Sequence, residues 1–233
     1  MIKFQLPMPS EKQDIFLRAR RKFIAFGGSR GGGKSFAVRL KAILLALRWP
    51  GIQLLIVRRT YPELIANHIT PLKRMLKIGT KDAIAKYNKT EKLMTFSNGS
   101  TIKLDYCAND GDIDHYQGQE YDVIFVDEAT QWKEEWLKML SACMRGVNGY
   151  PKHTIYTCNP GGISHGYIRR LFVDRKFIAG ENPDDYEFIQ SSVYDNKVLM
   201  KTNPDYVKQL EALPPKLRDA WLYGRWDIFE GAY

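Results

Sequence analysis

Residues 28–35 read Gly28-Ser29-Arg30-Gly31-Gly32-Gly33-Lys34-Ser35, a glycine run closing on Lys-Ser at the spacing G-x-x-x-x-G-K-S. That pattern does phosphate chemistry. Positions without side chains let successive backbone N–H groups close around phosphate oxygens, and a following helix turns its positive end on the same anion. Lys34 is then placed to reach the β- and γ-phosphates of ATP, and Ser35 to ligate Mg²⁺. A second signal stands about a hundred residues later, where Val123-Ile124-Phe125-Val126 runs into Asp127-Glu128. An apolar strand delivering two acids suits a metal-holding first carboxylate, Asp127, and a second, Glu128, that orients and deprotonates an attacking water. Alone, an apolar strand ending in acids is a common loop entry, but paired with a complete phosphate loop it is specific, and Glu as the second acid points to nucleotide hydrolysis. Three further residues fit the same site. Thr157 and Asn159, at the end of the run His153–Cys158, can hydrogen-bond to the γ-phosphate or its water, and Gln13 lies where motor-type ATPases place an adenine-reading glutamine.

These groups need elements to hold them. Phe23-Ile24-Ala25-Phe26 predicts a buried strand before the loop, and Ala37, Leu40, Leu44 and Leu47 recur at helical spacing after it. Residues 52–57 predict a parallel-type strand ending in Arg58-Arg59-Thr60, at the site edge, where the pair would meet phosphate or nucleic acid or cap a neighbouring helix. Residues 9–21 predict a helix with Ser10 as N-cap, Ile15 and Phe16 inward, and the basic cluster Arg18, Arg20, Arg21, Lys22 at its end. A helix over 64–76 would start near Pro62 and bend at Pro71. Residues 92–96 and 101–106 alternate on either side of Asn98-Gly99, a hairpin signal. Asn109-Asp110-Gly111-Asp112 predicts a polar loop without calcium-loop spacing. Residues 132–144 predict an amphipathic helix burying Trp132, Trp136, Met139, Leu140 and Cys143. Arg169, Arg170, Arg175 and Lys176, interleaved with Tyr167, Phe172 and Phe177, would suit a phosphate backbone, although the aromatics are first of all core. Helices are expected around 206–213 and after Pro214-Pro215. The sum is an α/β P-loop NTPase: a mostly parallel central sheet flanked by helices, with an added antiparallel hairpin.

Length and composition agree with one such domain. The chain has 233 residues, 44% of them hydrophobic, and a formal charge of +9 with pI near 9.3, which favours a polyanionic partner such as nucleic acid. Cys107, Cys143 and Cys158 are odd in number, dispersed and apolar in setting, as reduced thiols are, and no zinc spacing occurs. Neither a signal-type segment nor a membrane-length apolar run is visible, so the expectation is a soluble intracellular protein without a membrane partner.

The set of residues 28–35, Val57-Arg58-Arg59-Thr60, Gln117-Gly118-Gln119-Glu120-Tyr121-Asp122, Val126-Asp127-Glu128-Ala129, Cys158-Asn159-Pro160 and Leu222-Tyr223-Gly224-Arg225-Trp226-Asp227 resembles the ATPase domain of the large terminase subunit of tailed bacteriophages. The resemblance runs through nearly the whole chain: a first helix over 1–21, an ATPase core over 22–160, and a helical, basic segment over 161–233 leading toward a nuclease domain. It implies an ATP- and Mg²⁺-dependent motor, in the cytoplasm of the infected host, that pumps double-stranded DNA through a portal protein into a procapsid. A homo-oligomeric ring and a small terminase subunit are its implied partners. It implies that Arg30 senses or stabilises the γ-phosphate and that Thr157-Cys158-Asn159 couples hydrolysis to domain movement. Where some relatives carry a trans-acting arginine, this chain reads His115-Tyr116-Gln117-Gly118, which argues against a finger there. No strand-borne carboxylate cluster follows the motor motifs, since Asp184, Asp185 and Asp195 fall in polar turns, so no DNA cleavage is expected. A helicase-like translocase and a small-molecule kinase are the rival readings.

Overall fold

The structure is a computed structural model that describes residues 6–229. Eight strands form one sheet: β1 (Phe23–Gly28), β2 (Gln53–Arg58), β3 (Ala85–Asn88), β4 (Leu93–Phe96), β5 (Thr101–Tyr106), β6 (Val123–Val126), β7 (His153–Cys158) and β8 (Tyr186–Ser191), in the order β3-β4-β5-β2-β6-β7-β1-β8. Five pairings are parallel, and β3-β4-β5 are antiparallel around the Asn98-Gly99 turn. This is the expected mostly parallel sheet with its hairpin. Because β1, β6 and β2 lie within one or two strands of β7, their carboxyl tips emerge side by side on one edge, where open α/β sheets bind ligands.

Both faces of the sheet are covered, which is why the central strands read as continuous apolar runs. On one face Ile24, Phe26, Leu54, Ile56 and Phe125 pack under α1 (Glu11–Arg18) and α2 (Lys34–Arg48). On the other, Ala25, Leu55, Ile124 and Val126 meet Trp132, Trp136, Leu140 and Phe172. The alternation along each strand sets the two cores. The Phe16 and Phe26 rings stack 4.6 Å apart and fasten α1 to β1. Losing either ring would cost about 3–5 kcal/mol.

Several expectations need correction. Ser10 does cap α1, in a reciprocal capping box with Gln13, but Ile15 is 42% exposed and only Phe16 turns inward. The stripe on α2 is buried at Ala37 and Leu40 and open at Leu44 and Leu47. Residues 109–114 form a short helix, Asp110–Asp114, capped by Asn109, because the Asn109 and Asp112 side chains satisfy each other's backbone N–H groups. The helix after β6 is Glu134–Ala142, shorter than expected, with Trp132 buried ahead of it. Residues 161–229 are not merely helical, since β8 pairs with β1 as an edge strand of the same sheet.

The run 61–75 is helical throughout but changes pitch, with a π-turn at Ile65–Ile69 between Tyr61–Leu64 and Thr70–Met75. Pro71 has no N–H to return to the carbonyl four residues earlier, that of Asn67. The Arg39 guanidinium donates to that carbonyl instead. Proline thus accompanies a change of pitch here rather than ending the helix, and His68, within the π-turn, is fully buried.

His153 opens β7 with Nδ1 2.8 Å from the Arg21 carbonyl, and burial pushes its pKa down to about 4. The folded chain therefore refuses a proton that the unfolded chain accepts below pH 6.5. Stability from this group is complete above pH 6.5 and is lost as pH falls toward 4, by about 3 kcal/mol. Urea titrations should show the gap between wild type and His153→Gln narrowing by that order from pH 7 to pH 4; a constant gap would contradict a neutral His153.

Candidate active site

The phosphate loop follows from glycine geometry. At Gly28, φ is +128° and an added Cβ would lie 2.2 Å from the Ser191 carbonyl oxygen, so no side chain fits. Gly33, at φ +77°, turns the chain into α2. The outward face of the loop is fastened by other segments. Ser29 N–H donates to the Ser191 carbonyl at 3.0 Å and Arg30 N–H to the Trp221 carbonyl at 2.7 Å. The carbonyls of Gly31, Gly32 and Gly33 accept from Asn196 Nδ2 at 2.7 Å, Ser191 Oγ at 3.2 Å and Gln13 Nε2 at 3.2 Å. With those carbonyls held outward, the first-turn N–H groups of α2 face the concave side, where a helix leaves them unpaired. Lys34 lies across that concavity, donating to the Ser29 carbonyl at 2.5 Å and Asn159 Oδ1 at 2.8 Å. Burial lowers its pKa to about 8.

Asp127 is the buried charge of the site, 1% exposed at the tip of β6. Arg58 Nη1 and the Thr157 hydroxyl donate to it, His68 Nε2 lies 2.8 Å away, and Ser35 Oγ lies 3.4 Å from each carboxylate oxygen. Burial opposes its ionisation, but His68, Arg58 and Thr157 outweigh burial and hold its pKa well below the ordinary carboxylate range. Arg58 spans both acids, since its Nη2 also meets Glu128 Oε1 at 3.1 Å and its Nε lies 3.6 Å from Glu63. Trp132 Nε1 holds the Asp127 carbonyl at 3.1 Å from below.

Glu128 stands at φ +54°, left-handed backbone for a non-glycine residue, which costs of order 1–3 kcal/mol. Its N–H donates to Thr157 Oγ1 at 2.9 Å, which helps hold the turn. The side chain lines a recess of about 150 Å³ with Arg30, Asn159 and Gly162, next to a cleft of about 520 Å³ formed by residues 30–36, Arg58, Glu63 and Tyr206. Cleft and recess share Arg30, Glu128 and Asn159. A triphosphate laid in the cleft would point its last phosphate at Glu128.

The structure thus brings together Gly28–Ser35, Asp127, Glu128, Thr157 and Asn159. Cys158 is buried beneath Gly27, close to Lys34, and burial raises its thiol to about 12. Gln13 is buried, and its amide is spent on the Gly33 carbonyl and the Ser10 N–H. Arg30 lies with its guanidinium 3.4 Å from the Trp221 ring centroid. Of the basic candidates, Arg59 donates to the Cys107 carbonyl and covers the Trp136 ring, and Arg170 pairs with Glu181 at 2.7 Å. Sequence reading missed His68 altogether, although it stands four positions from each of the buried Leu64 and Leu72. It placed Arg58 at the site edge without seeing that it joins both acids.

Removing Arg58 leaves Asp127 with less compensation, and breaking a buried pair costs about 3–5 kcal/mol. Chemical denaturation of nucleotide-free protein should show that loss in Arg58→Met and a markedly smaller one in Arg58→Met on an Asp127→Asn background. Additive losses would contradict the pairing.

Comparison with known proteins agrees with this geometry. A family model described as phage terminase large subunit matches residues 20–223. The large terminase of a thermophilic bacteriophage superposes with a TM-score of 0.74 at 19% identity, over 94% of this chain and 54% of that one. The complex of the same terminase with ATP-γ-S gives 0.72 at 20% identity, over 94% and 53%. The ATPase domain of the Thermus phage P74-26 large terminase gives 0.62 at 18% identity, covering 93% of each chain. The chain therefore spans about half the length of the first of these terminases. None of the curated protein sequences matches it. With a phosphate loop, a buried acidic strand tip and a family match over most of its length, this chain belongs to the phage terminase large subunit family.

Proposed function

We propose that this chain hydrolyses ATP in the cleft above α2 and, as the motor part of a terminase in the infected cell, uses that hydrolysis to drive double-stranded DNA through a portal into a procapsid. The observation that carries the reading is the meeting of two elements: Lys34 and Ser35 at the start of α2 face Asp127 and Glu128 at the tip of β6, with Lys34, Ser35 and Glu128 lining one cleft and Asp127 buried behind Ser35. The loop N–H groups and Lys34 bind and orient the phosphates. Lys34 exchanges its bonds to Ser29 and Asn159 for phosphate oxygens, which restores the charge that burial disfavours. Glu128, 38% exposed in the small recess, takes a proton from water there. Asn159 Oδ1, released by Lys34, can accept from that water, and Thr157 joins both acids, so the strand β7 feels what happens at the phosphate.

The donor set suits Mg²⁺. The Ser35 hydroxyl and the Asp127 carboxylate are hard oxygen donors meeting at 3.4 Å, as a small ion with a partial water shell requires. Bound there, Mg²⁺ would neutralise phosphate charge. Arg58, positive and lying between Asp127 and Glu128, already satisfies part of that demand. Arg30 is read as a contact to the last phosphate. A cation–π contact is worth about 0.5–2 kcal/mol, so a phosphate dianion can draw the guanidinium from Trp221. The net charge of +9 supports the duplex as partner, and ring formation with a small terminase subunit belongs to the same reading.

Lys34→Ala should lose both ATP turnover and most nucleotide affinity, whereas Glu128→Gln should keep affinity and lose turnover. A fluorescent nucleotide reads the split, and equal loss of affinity in both would contradict the roles. Arg30→Ala should lower turnover by roughly 10³-fold or more at dilutions where the protein is monomeric, as for an arginine acting in cis on its own phosphate. Full activity there would move the role to another arginine.

A further inference from the structure

A recess of about 920 Å³ lies far from the phosphate loop, at the other end of α2. The end of α1, the end of α2 and the segment before β7 enclose it. Its floor is apolar, and two leucines on its wall are uncovered: Leu44 is 41% and Leu47 44% exposed. They continue the stripe whose first members, Ala37 and Leu40, are buried. Trp49 and Tyr150, ring centroids 5.4 Å apart, stand beside them. A contiguous apolar surface with aromatic members is what interaction sites present.

The charges around it are mostly spent. Asp14, the single carboxylate of the lining, is bonded to Arg18 at 2.8 Å. Lys41 Nζ donates to the carbonyls of Phe16 and Ala19, each at 2.9 Å, and so closes the end of α1. Lys152 is paired with Asp122 at 2.8 Å, and His153 is neutral. Arg20 and Arg48 remain, with no carboxylate partner among the described residues. Leu44 precedes Leu47 by three positions and Arg48 by four, so on the helix surface it has both a leucine and a cation as neighbours.

We propose that this recess docks an acidic peptide segment of a partner protein, whose apolar side chains cover Leu44 and Leu47 and whose carboxylates pair with Arg20 and Arg48. Charge complementarity selects the acid. The exposed leucines select a peptide over duplex DNA, whose outer rail of phosphate and sugar has nothing to lay on them. Tryptophan, tyrosine and arginine are also the side chains that dominate binding energy at protein interfaces. The proposal is independent of ATP hydrolysis, because none of these residues touches the phosphate cleft.

Fluorescence anisotropy with a labelled peptide in which glutamates alternate with leucine and phenylalanine tests it. Saturable binding is expected, weakened at least about fivefold in Arg20→Glu/Arg48→Glu and in Leu44→Gln/Leu47→Gln, the loss that marks an energetically significant interface residue. Circular dichroism and ATP affinity should be unchanged in both variants. A peptide with lysine in place of glutamate should bind much more weakly. Four results would overturn the proposal: no saturable binding of the glutamate peptide, equal binding of the lysine peptide, undiminished binding in either variant, or loss of affinity for a duplex oligonucleotide in place of loss for the peptide.

Discussion

A carboxylate buried in the middle of a sheet must be neutralised where it stands, and most of this site follows from how Asp127 meets that demand. The penalty for taking such an ion out of water is several kcal/mol even after relaxation. The compensation comes from four segments: Arg58 from the end of β2, His68 from the π-turn, Thr157 from β7 and Ser35 from α2. Sheet register makes this possible. Val126 pairs with Val57 on one side and Tyr156 on the other, so Arg58 and Thr157, each one residue further on, stand beside Asp127. A one-residue slip would turn both side chains to the opposite face. The buried charge therefore fixes strand pairing as much as strand pairing fixes the site.

The phosphate loop depends on a second constraint, the removal of its carbonyls from the anion. Segments distant in sequence perform it. Ser191 at the end of β8, Asn196 just beyond it and Gln13 on α1 take the carbonyls of the three consecutive glycines. Further on, Trp221 accepts from Arg30, and Gly224, at φ +67°, lies so close that an added Cβ would meet Ser29 N at 2.9 Å. The segment after β7 is thus part of the nucleotide cleft. Under the role proposed for Arg30, filling the cleft would draw its guanidinium from Trp221 and so reach the chain beyond it.

The fold was largely legible because its signals are local: apolar runs for β1, β2, β6 and β7, an Asn-Gly turn for the hairpin, glycine spacing for the loop. The glycine loop and the acidic pair at the tip of β6 were legible for the same reason. What escaped depended on tertiary context. His68 stands at four-residue spacing between the buried Leu64 and Leu72, but nothing local in sequence shows that Asp127 lies opposite it. Ile15, Leu44 and Leu47 fit apolar stripes, but periodicity does not say how far the covering elements reach. β8 was hidden because Tyr186-Glu187-Phe188 alternates weakly and its partner β1 lies about 160 residues earlier. Basic residues after Gly166 suggested a nucleic-acid surface, whereas Arg169 and Arg170 are engaged with Asp174 and Glu181.

In the proposed function, ATP is hydrolysed in the cleft in front of the buried Asp127. Phosphate release by this chain with ATP and Mg²⁺, measured beside an Asp127→Ala control purified in parallel and checked for folding, tests it most directly. The account predicts steady release from the wild-type chain and a rate lower by about 10²-fold or more in the control. Equal rates in the two proteins, or no release from the wild-type chain with and without duplex DNA, would contradict it.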